Sequence, residues 1–192
     1  MILASKSPRR REILSQFGFD IEIDSVDVEE VSDEKEVVDQ LMDISRKKSQ
    51  EVAKRNPDKY VVSADTAVII DGRVLGKPGD EEEAKRTLRE LSGRAHEVIT
   101  AYTLFNLSKE VMHSHYDTTM VYFKELSDEE IEWYVATGEP MDKAGSYGIQ
   151  GKGTILVDKI EGDFYNVMGF PLSKFYDDLK SLGMDISNIR MM

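Results

Sequence analysis

Three long runs of strand-forming residues constrain this chain most. Residues 60–70 read YVVSADTAVII, and residues 96–107 and 111–123 form two further stretches joined near residues 106–109. β-branched and aromatic side chains favour extended backbone on a half-buried surface. Asp71-Gly72 directly follows the first run, a tight-turn signal that sends the chain back through Arg73-Val74-Leu75. Helical patterns intervene over 8–17, 37–53, 80–91, 127–137 and 171–182, with shorter strands over 1–4, 19–23 and 154–160. Asp80 with Glu83, and Ser127 with Glu130, have the spacing of helix-capping pairs. Strands and helices therefore mix without strict βαβ alternation. The expected fold is α/β: a single domain with a long mixed, partly antiparallel curved sheet flanked by helices, in two lobes around a cleft. The domain is expected to span 1–183, with 184–192 as a C-terminal tail.

The first eleven residues, MILASKSPRRR, point toward chemistry. A short apolar strand breaks at Ser5-Lys6-Ser7-Pro8, with Ser7 placed as a helix N-cap and Pro8 as the first helical residue. Arg9, Arg10 and Arg11 then fall in the first turn, where the helix dipole is already positive. Guanidinium forks and exposed backbone N–H groups at one helix start suit a phosphate-bearing ligand. A solvated basic turn is the plain alternative. There is no Walker-type phosphate loop in the chain.

That basic turn stands out because the protein is acidic overall, with 37 acidic and 25 basic residues and a formal net charge of -12. Such a balance argues against a general nucleic-acid binder. No cysteine occurs, which excludes disulfides, thiol catalysis and thiolate zinc sites and fits a reducing cytoplasm. No apolar stretch reaches the roughly 20 residues of a membrane span, and charge arrives at Lys6 before a signal-peptide core could form. The expectation is a cytoplasmic protein without membrane or nucleic-acid partners.

Asp65 is the leading candidate for chemistry. It interrupts an otherwise apolar strand, so its carboxylate must be paired, bind a metal or move a proton, unless it faces water. Glu29 and Glu30 could join it in holding a hard divalent cation through oxygen ligands. Lys77, in Gly76-Lys77-Pro78, would return along the neighbouring strand toward Asp65. Lys47 and Lys48 are ambiguous between a site and the surface, as are Arg94 and His96. His113 and His115 share a strand face but have no obvious third ligand, so a histidine metal site is not expected. Residues 142–153 hold Gly145, Gly148, Gly151 and Gly153, which imply tight turns or close approach to a ligand. Within this segment Gln150 offers an amide able to pair with a base edge.

These features together resemble the Maf family of nucleoside triphosphate pyrophosphatases, with an ITPase-like fold. The resemblance rests on Ala4-Ser5-Lys6-Ser7-Pro8-Arg9-Arg10, Ser63-Ala64-Asp65-Thr66, Gly76-Lys77-Pro78 and Leu91-Ser92-Gly93-Arg94-Ala95-His96. It continues through Gly138-Glu139-Pro140, 142–151 and Gly162-Asp163-Phe164-Tyr165-Asn166. It implies hydrolysis of a nucleoside triphosphate between the α and β phosphates, with a divalent cation, Mg²⁺ or Mn²⁺, as cofactor. By the same resemblance Asp65 is the proton acceptor, and Ser5, Arg9, Arg10, Lys48 and Lys77 bind phosphate. Glu30 and Asp65 lie at the metal, and Arg9, Thr66 and Gln150 bear on base selectivity. Residues 142–151 resemble the branch acting on dTTP and UTP rather than the 7-methyl-GTP branch. Clearing excess or modified nucleotides is the implied role, and a homodimer is one option for assembly. Two other readings stand beside it: a nucleotide-binding inhibitor of septum formation, and a pyrophosphatase for purines such as inosine triphosphate.

Overall fold

The computed structural model describes residues 1–184; residues 185–192 of the expected tail lie outside the described residues. In chain order the elements are β1 (Ile2–Leu3), α1 (Pro8–Gln16), β2 (Glu22–Ile23), α2 (Val37–Arg55), β3 (Val61–Ile70), β4 (Arg73–Leu75), α3 (Glu81–Leu91), β5 (Ala95–Asn106), β6 (Val111–Phe123), α4 (Asp128–Val135), β7 (Val157–Glu161), α5 (Phe164–Val167) and α6 (Leu172–Ser181). The strands form one seven-stranded sheet in the order β2-β1-β3-β5-β6-β7, with β4 also paired to β3. Parallel pairs (β1 with β2 and β3) coexist with antiparallel ones (β3 with β4, β6 with β7), so the mixed α/β sheet expected from the sequence is present.

The chain divides into two compact units, and β3, β5 and β6 each contribute to both. The first unit holds 1–65, 100–117 and the segment from Gly169 onward. Its parallel ladder aligns Ile2 with both Glu22 and Val61. β1 is two residues long, and the strand expected over 19–23 pairs with it only at Glu22–Ile23. Ile2, Ala4, Val52, Ala53 and Val61 pack into one core cluster. A second packing centre is aromatic, with Phe170 and Phe175 at 5.0 Å between ring centroids and Tyr102 edge-on to Phe175 at 5.5 Å. At the start of α1, Ser7 occupies the N-cap position but makes no side-chain cap. Its backbone N–H instead donates to Ser5 Oγ at 3.2 Å.

The second unit comprises Thr66–Ile99 and Thr118–Met168. Its core joins Val68, Ile70 and Leu75 to Ala84, Leu88 and Leu91 of α3 and to Ile131, Tyr134 and Val135 of α4. Both helices begin as their sequences dictate. Asp80 accepts the Glu83 N–H, and Ser127 and Glu130 form a reciprocal capping box. The glycine-rich segment is ordered into 3-10 turns over Glu139–Asp142, Ala144–Ser146 and Gly151–Leu156, and the last of these takes residues expected to start β7.

Glu139 fastens this segment. Its carboxylate accepts from the backbone N–H of Lys152 (3.0 Å) and Gly153 (3.1 Å) and from the Tyr134 hydroxyl (3.0 Å). The Tyr134 oxygen in turn accepts from Gly148 N–H at 3.0 Å. Burial, the largest single influence, pushes the Glu139 carboxyl up, but these donors together with Lys143 outweigh it and hold it below its usual value. The glycines serve this packing. Gly145 has φ of +68°, and a Cβ there would stand 2.9 Å from Val68 Cγ1. A Cβ on Gly153 would stand 2.2 Å from the Gly148 carbonyl oxygen.

His96 is a core residue of the same unit. Its ring meets Phe123 and Tyr147 edge-to-face at 5.1 and 5.3 Å, and its Nε2 lies 2.7 Å from the Tyr147 hydroxyl oxygen. Nδ1 is buried with no hydrogen-bond partner. The tautomer protonated on Nε2 is favoured, because a bare lone pair is easier to bury than a bare N–H. Burial lowers the His96 pKa to about 4 from 6.5.

Two outcomes follow from this packing. Gly153→Ala forces apart two backbone segments and should destabilise the protein by about 2 kcal/mol or more, visible as a melting temperature lowered by several degrees. A melting temperature within a degree of wild type would contradict that packing. For His96, the unfolded chain gains a proton below pH 6.5 while the folded chain resists it down to about pH 4. Stability should therefore fall through this window on acidification, by on the order of 3 kcal/mol. Denaturant melts of wild type and His96→Gln should diverge in slope only there; parallel pH profiles would show that His96 titrates normally in the fold.

Candidate active site

The polar interruption of β3 is explained by what faces it. Ser63 and Asp65 lie two apart and share one face of the strand. Ser63 Oγ donates to the Ser45 carbonyl, and Asp65 Oδ1 accepts from Lys48 Nζ at 2.8 Å, so both polar residues answer polar residues of α2. Ser45 also exchanges a hydrogen bond with Thr103 of β5 at 2.8 Å. Lys48 is nearly buried, with its side chain 11% exposed against 18% for Asp65. A second carboxylate completes the contact: Glu30 Oε1 stands 2.6 Å from the same Lys48 nitrogen. Asp65 is thus a paired carboxylate, the first of the options open to it in the sequence.

The basic turn of α1 belongs to the same unit. Arg10 Nη1 donates to Ser5 Oγ at 3.1 Å and Nε donates to the Gly169 carbonyl at 2.8 Å. Ser5 therefore organises the turn by accepting from both the Arg10 side chain and the Ser7 backbone. Burial is the main influence on Arg10 and lowers its pKa; Asp65 and Glu30 act in the opposite sense, and Arg9 reinforces the lowering. A guanidinium nevertheless stays charged at any pH the fold survives. These couplings place Arg9, Glu30 and Asp65 within electrostatic reach of Arg10. With Lys48 the group holds three cations against two carboxylates, and the N-terminal dipole of α1 adds to the positive side.

The first unit so gathers Ser5, Arg9, Arg10, Glu30, Lys48 and Asp65. Thr66, Lys77 and Gln150 belong to the second. Thr66 follows Asp65 directly and points to the opposite strand face. Lys77 is exposed beyond β4, while Gln150 is half-buried at the head of the turn Gly151–Leu156. The ambiguous cations separate cleanly. Lys47 pairs with Asp43 at 2.7 Å and Arg94 with Asp71 at 2.6 Å, both at the surface, whereas Lys48 turns inward.

The two carboxylates suit a divalent cation. Glu30 and Asp65 already converge on one positive charge, the Lys48 ammonium, which marks a point where both sets of oxygens are directed. Two carboxylates supplemented by substrate phosphates are a usual magnesium environment. Sequence reasoning missed a different cluster. His113 and His115 do have a third neighbour, Asp178 of α6, and the donor atoms of all three lie within 4.8 Å of one another. The only local signal was an aspartate at a buried position of an amphipathic helix, 63 residues from His115.

Among the described residues no helix is long and apolar enough to cross a membrane. The chain is 49% identical over 189 residues to a dTTP/UTP pyrophosphatase of Fusobacterium nucleatum, covering 98% of each chain. It is 50% identical over 186 residues to a dTTP/UTP pyrophosphatase of Thermococcus onnurineus, covering 97% of this chain and 99% of that one. Its fold is similar to that of the Staphylococcus aureus Ham1 protein, with a TM-score of 0.50 at 15% identity over 81% of this chain and 78% of the other. The Maf-like protein family matches residues 1–182, the whole span that carries the Ser5–Arg10 turn, the Lys48–Asp65 pair and the Glu139-fastened segment. The chain belongs to the Maf family.

Proposed function

We propose that this protein is a nucleoside triphosphate pyrophosphatase that converts dTTP and UTP to the monophosphate and pyrophosphate, removing excess or modified pyrimidine nucleotides in the cytoplasm. The observation that carries the reading is the convergence of Glu30 and Asp65 on Lys48, in the unit that also holds the Ser5–Arg10 turn. Relatives that share about half of its residues bear the same activity in their names.

In this reading the Arg9 and Arg10 guanidiniums and Lys48 take the triphosphate oxygens. Lys48 exchanges its carboxylate partners for phosphate, which releases Asp65. The freed carboxylate accepts a proton from a water molecule as the water oxygen bonds to the α-phosphorus. The bond from that phosphorus to the α–β bridging oxygen breaks, and pyrophosphate departs with the bond's electrons. Ser5 holds Arg10 in place while charge grows on the phosphoryl oxygens, so little reorganisation is needed at the moment of reaction. A divalent cation, Mg²⁺ or Mn²⁺, held by Glu30 and Asp65 would neutralise phosphate charge. Lys77 is assigned to the phosphates, and Arg9, Thr66 and Gln150 to the choice of base, on the family resemblance. A half-buried amide in a segment fastened by Glu139 supports this assignment for Gln150, since a fixed donor–acceptor pair discriminates better than a mobile one.

Asp65→Asn keeps the shape of the side chain and removes its basicity. Turnover should fall by roughly a hundredfold or more while the nucleotide still binds, as followed by steady-state kinetics beside equilibrium binding of dTTP. Undiminished turnover would remove Asp65 from the proton transfer. Loss of binding with intact turnover per bound substrate would recast it as a binding residue.

A further inference from the structure

Asp178 presents a difficulty that the nucleotide chemistry does not use. It is one of the buried residues of α6, beside Leu172, Phe175 and Leu179. A carboxylate on the apolar face of a helix is costly unless its charge is answered. Its partners are all on the sheet of the same unit. The Tyr102 hydroxyl of β5 donates to Oδ2. His115 Nδ1 lies 2.8 Å from Oδ2 and 3.0 Å from Oδ1. His113 Nε2 is buried and lies 3.2 Å from Oδ2, an ion-pair contact without the alignment of a strong hydrogen bond. Both imidazoles thus turn a nitrogen toward the same carboxylate, an arrangement that suits a proton or a shared metal cation between them.

We propose that His113 Nε2, His115 Nδ1 and the Asp178 carboxylate, brought together from β6 and α6, form a binding site for one divalent transition-metal ion of the zinc type. The two histidines alternate along β6 and so share a face, with rings 4.9 Å apart and steeply inclined, which aims both nitrogens at one point without stacking them. Ligands bonded at about 2.0–2.2 Å in a tetrahedral array lie roughly 3.3–3.5 Å apart. The present His–Asp separations of 2.8 and 3.2 Å are shorter than this by roughly 0.1–0.7 Å, so a bound ion requires only a modest opening of the cluster. Two imidazoles with one carboxylate select zinc, cobalt or iron over magnesium or calcium, which prefer all-oxygen sites.

The surroundings are those of a supported site. Tyr102 hydrogen-bonds the ligating carboxylate from behind, as outer-shell groups of metal centres commonly do. Phe170 and Phe175 wall this side with apolar surface. Asp117, on the same β6 face as the histidines, and Asp177 add negative potential nearby. The site shares no residue with the Ser5, Arg10, Lys48 and Asp65 group, and a bound ion would clamp β6 to α6 within one unit.

The test is a titration of the chelator-stripped full-length protein with Co²⁺, in the absence of nucleotide and on an Asp65→Asn background. One equivalent per chain should bind and give the intense visible bands of four-coordinate cobalt with nitrogen ligands, and Zn²⁺ but not Mg²⁺ should abolish them. His113→Gln and His115→Gln should each weaken binding by at least about tenfold, and Tyr102→Phe by about tenfold. With wild-type Asp65, both histidine variants should retain Mg²⁺-supported turnover. His113→Gln is the decisive variant if His115→Gln folds poorly, because His113 makes the longer contact with Asp178, 3.2 Å against 2.8 Å for His115. Weak octahedral bands only, no saturable binding, or affinity unchanged by His113→Gln would overturn the assignment.

Discussion

The first unit is arranged around the ion pair between Lys48 and Asp65. Both side chains are largely withdrawn from water, and both come from regular elements, a helix and a strand, rather than from loops. Such a pair contributes little to stability, since desolvation offsets most of the attraction and an apolar replacement of equal volume often does as well. Removing only one partner, however, strands a charge in a poorly solvated place. The pair therefore makes sense as a stored arrangement: under the proposed function the lysine occupies the position that phosphate or a cation would take, and it keeps the carboxylate aimed. Glu30 extends the pair into a triad, and Ser63 with Ser45 locks α2 to β3 beside it, so the distance between acid and base is set by a strand–helix contact.

A comparable economy governs the second unit. Glu139 satisfies two backbone N–H groups and a phenol at once, and Tyr134 passes the connection on to Gly148. A segment rich in glycine is thereby held as tightly as the helices around it. Glycine here is a packing requirement, because the protein's own carbonyl and side-chain atoms fill the space that a Cβ would need. The same fastening holds the segment that carries Gln150, the residue the proposed function assigns to the base.

Much of this was legible in the chain. The long strands, the Asp71-Gly72 turn and the capping pairs at Asp80 and Ser127 depend on local chemistry and stand close to where their residues place them. Asp65 was conspicuous because a carboxylate in an apolar strand demands a partner. The identity of that partner was not legible: Lys47 and Lys48 differ only in the helix face on which they fall, and a 100° rotation separates a surface lysine from a buried one. Ser7 resembled a cap, but Ser5, two residues earlier, takes the organising role through its contact with Arg10. The Asp178 cluster was hidden for a different reason. Its members meet only through tertiary packing of α6 against the sheet, and no periodicity in either segment announces the other.

The most direct measurement of the central claim is product analysis. Purified protein would be incubated with Mg²⁺ or Mn²⁺ and, separately, dTTP, UTP, CTP, GTP and ITP, scoring pyrophosphate apart from orthophosphate. The expected result is pyrophosphate in equal amount with the monophosphate, from dTTP and UTP ahead of the others. Release of orthophosphate would place the attack at the terminal phosphorus, and the absence of turnover with every substrate would leave the Glu30–Lys48–Asp65 triad without the chemistry assigned to it.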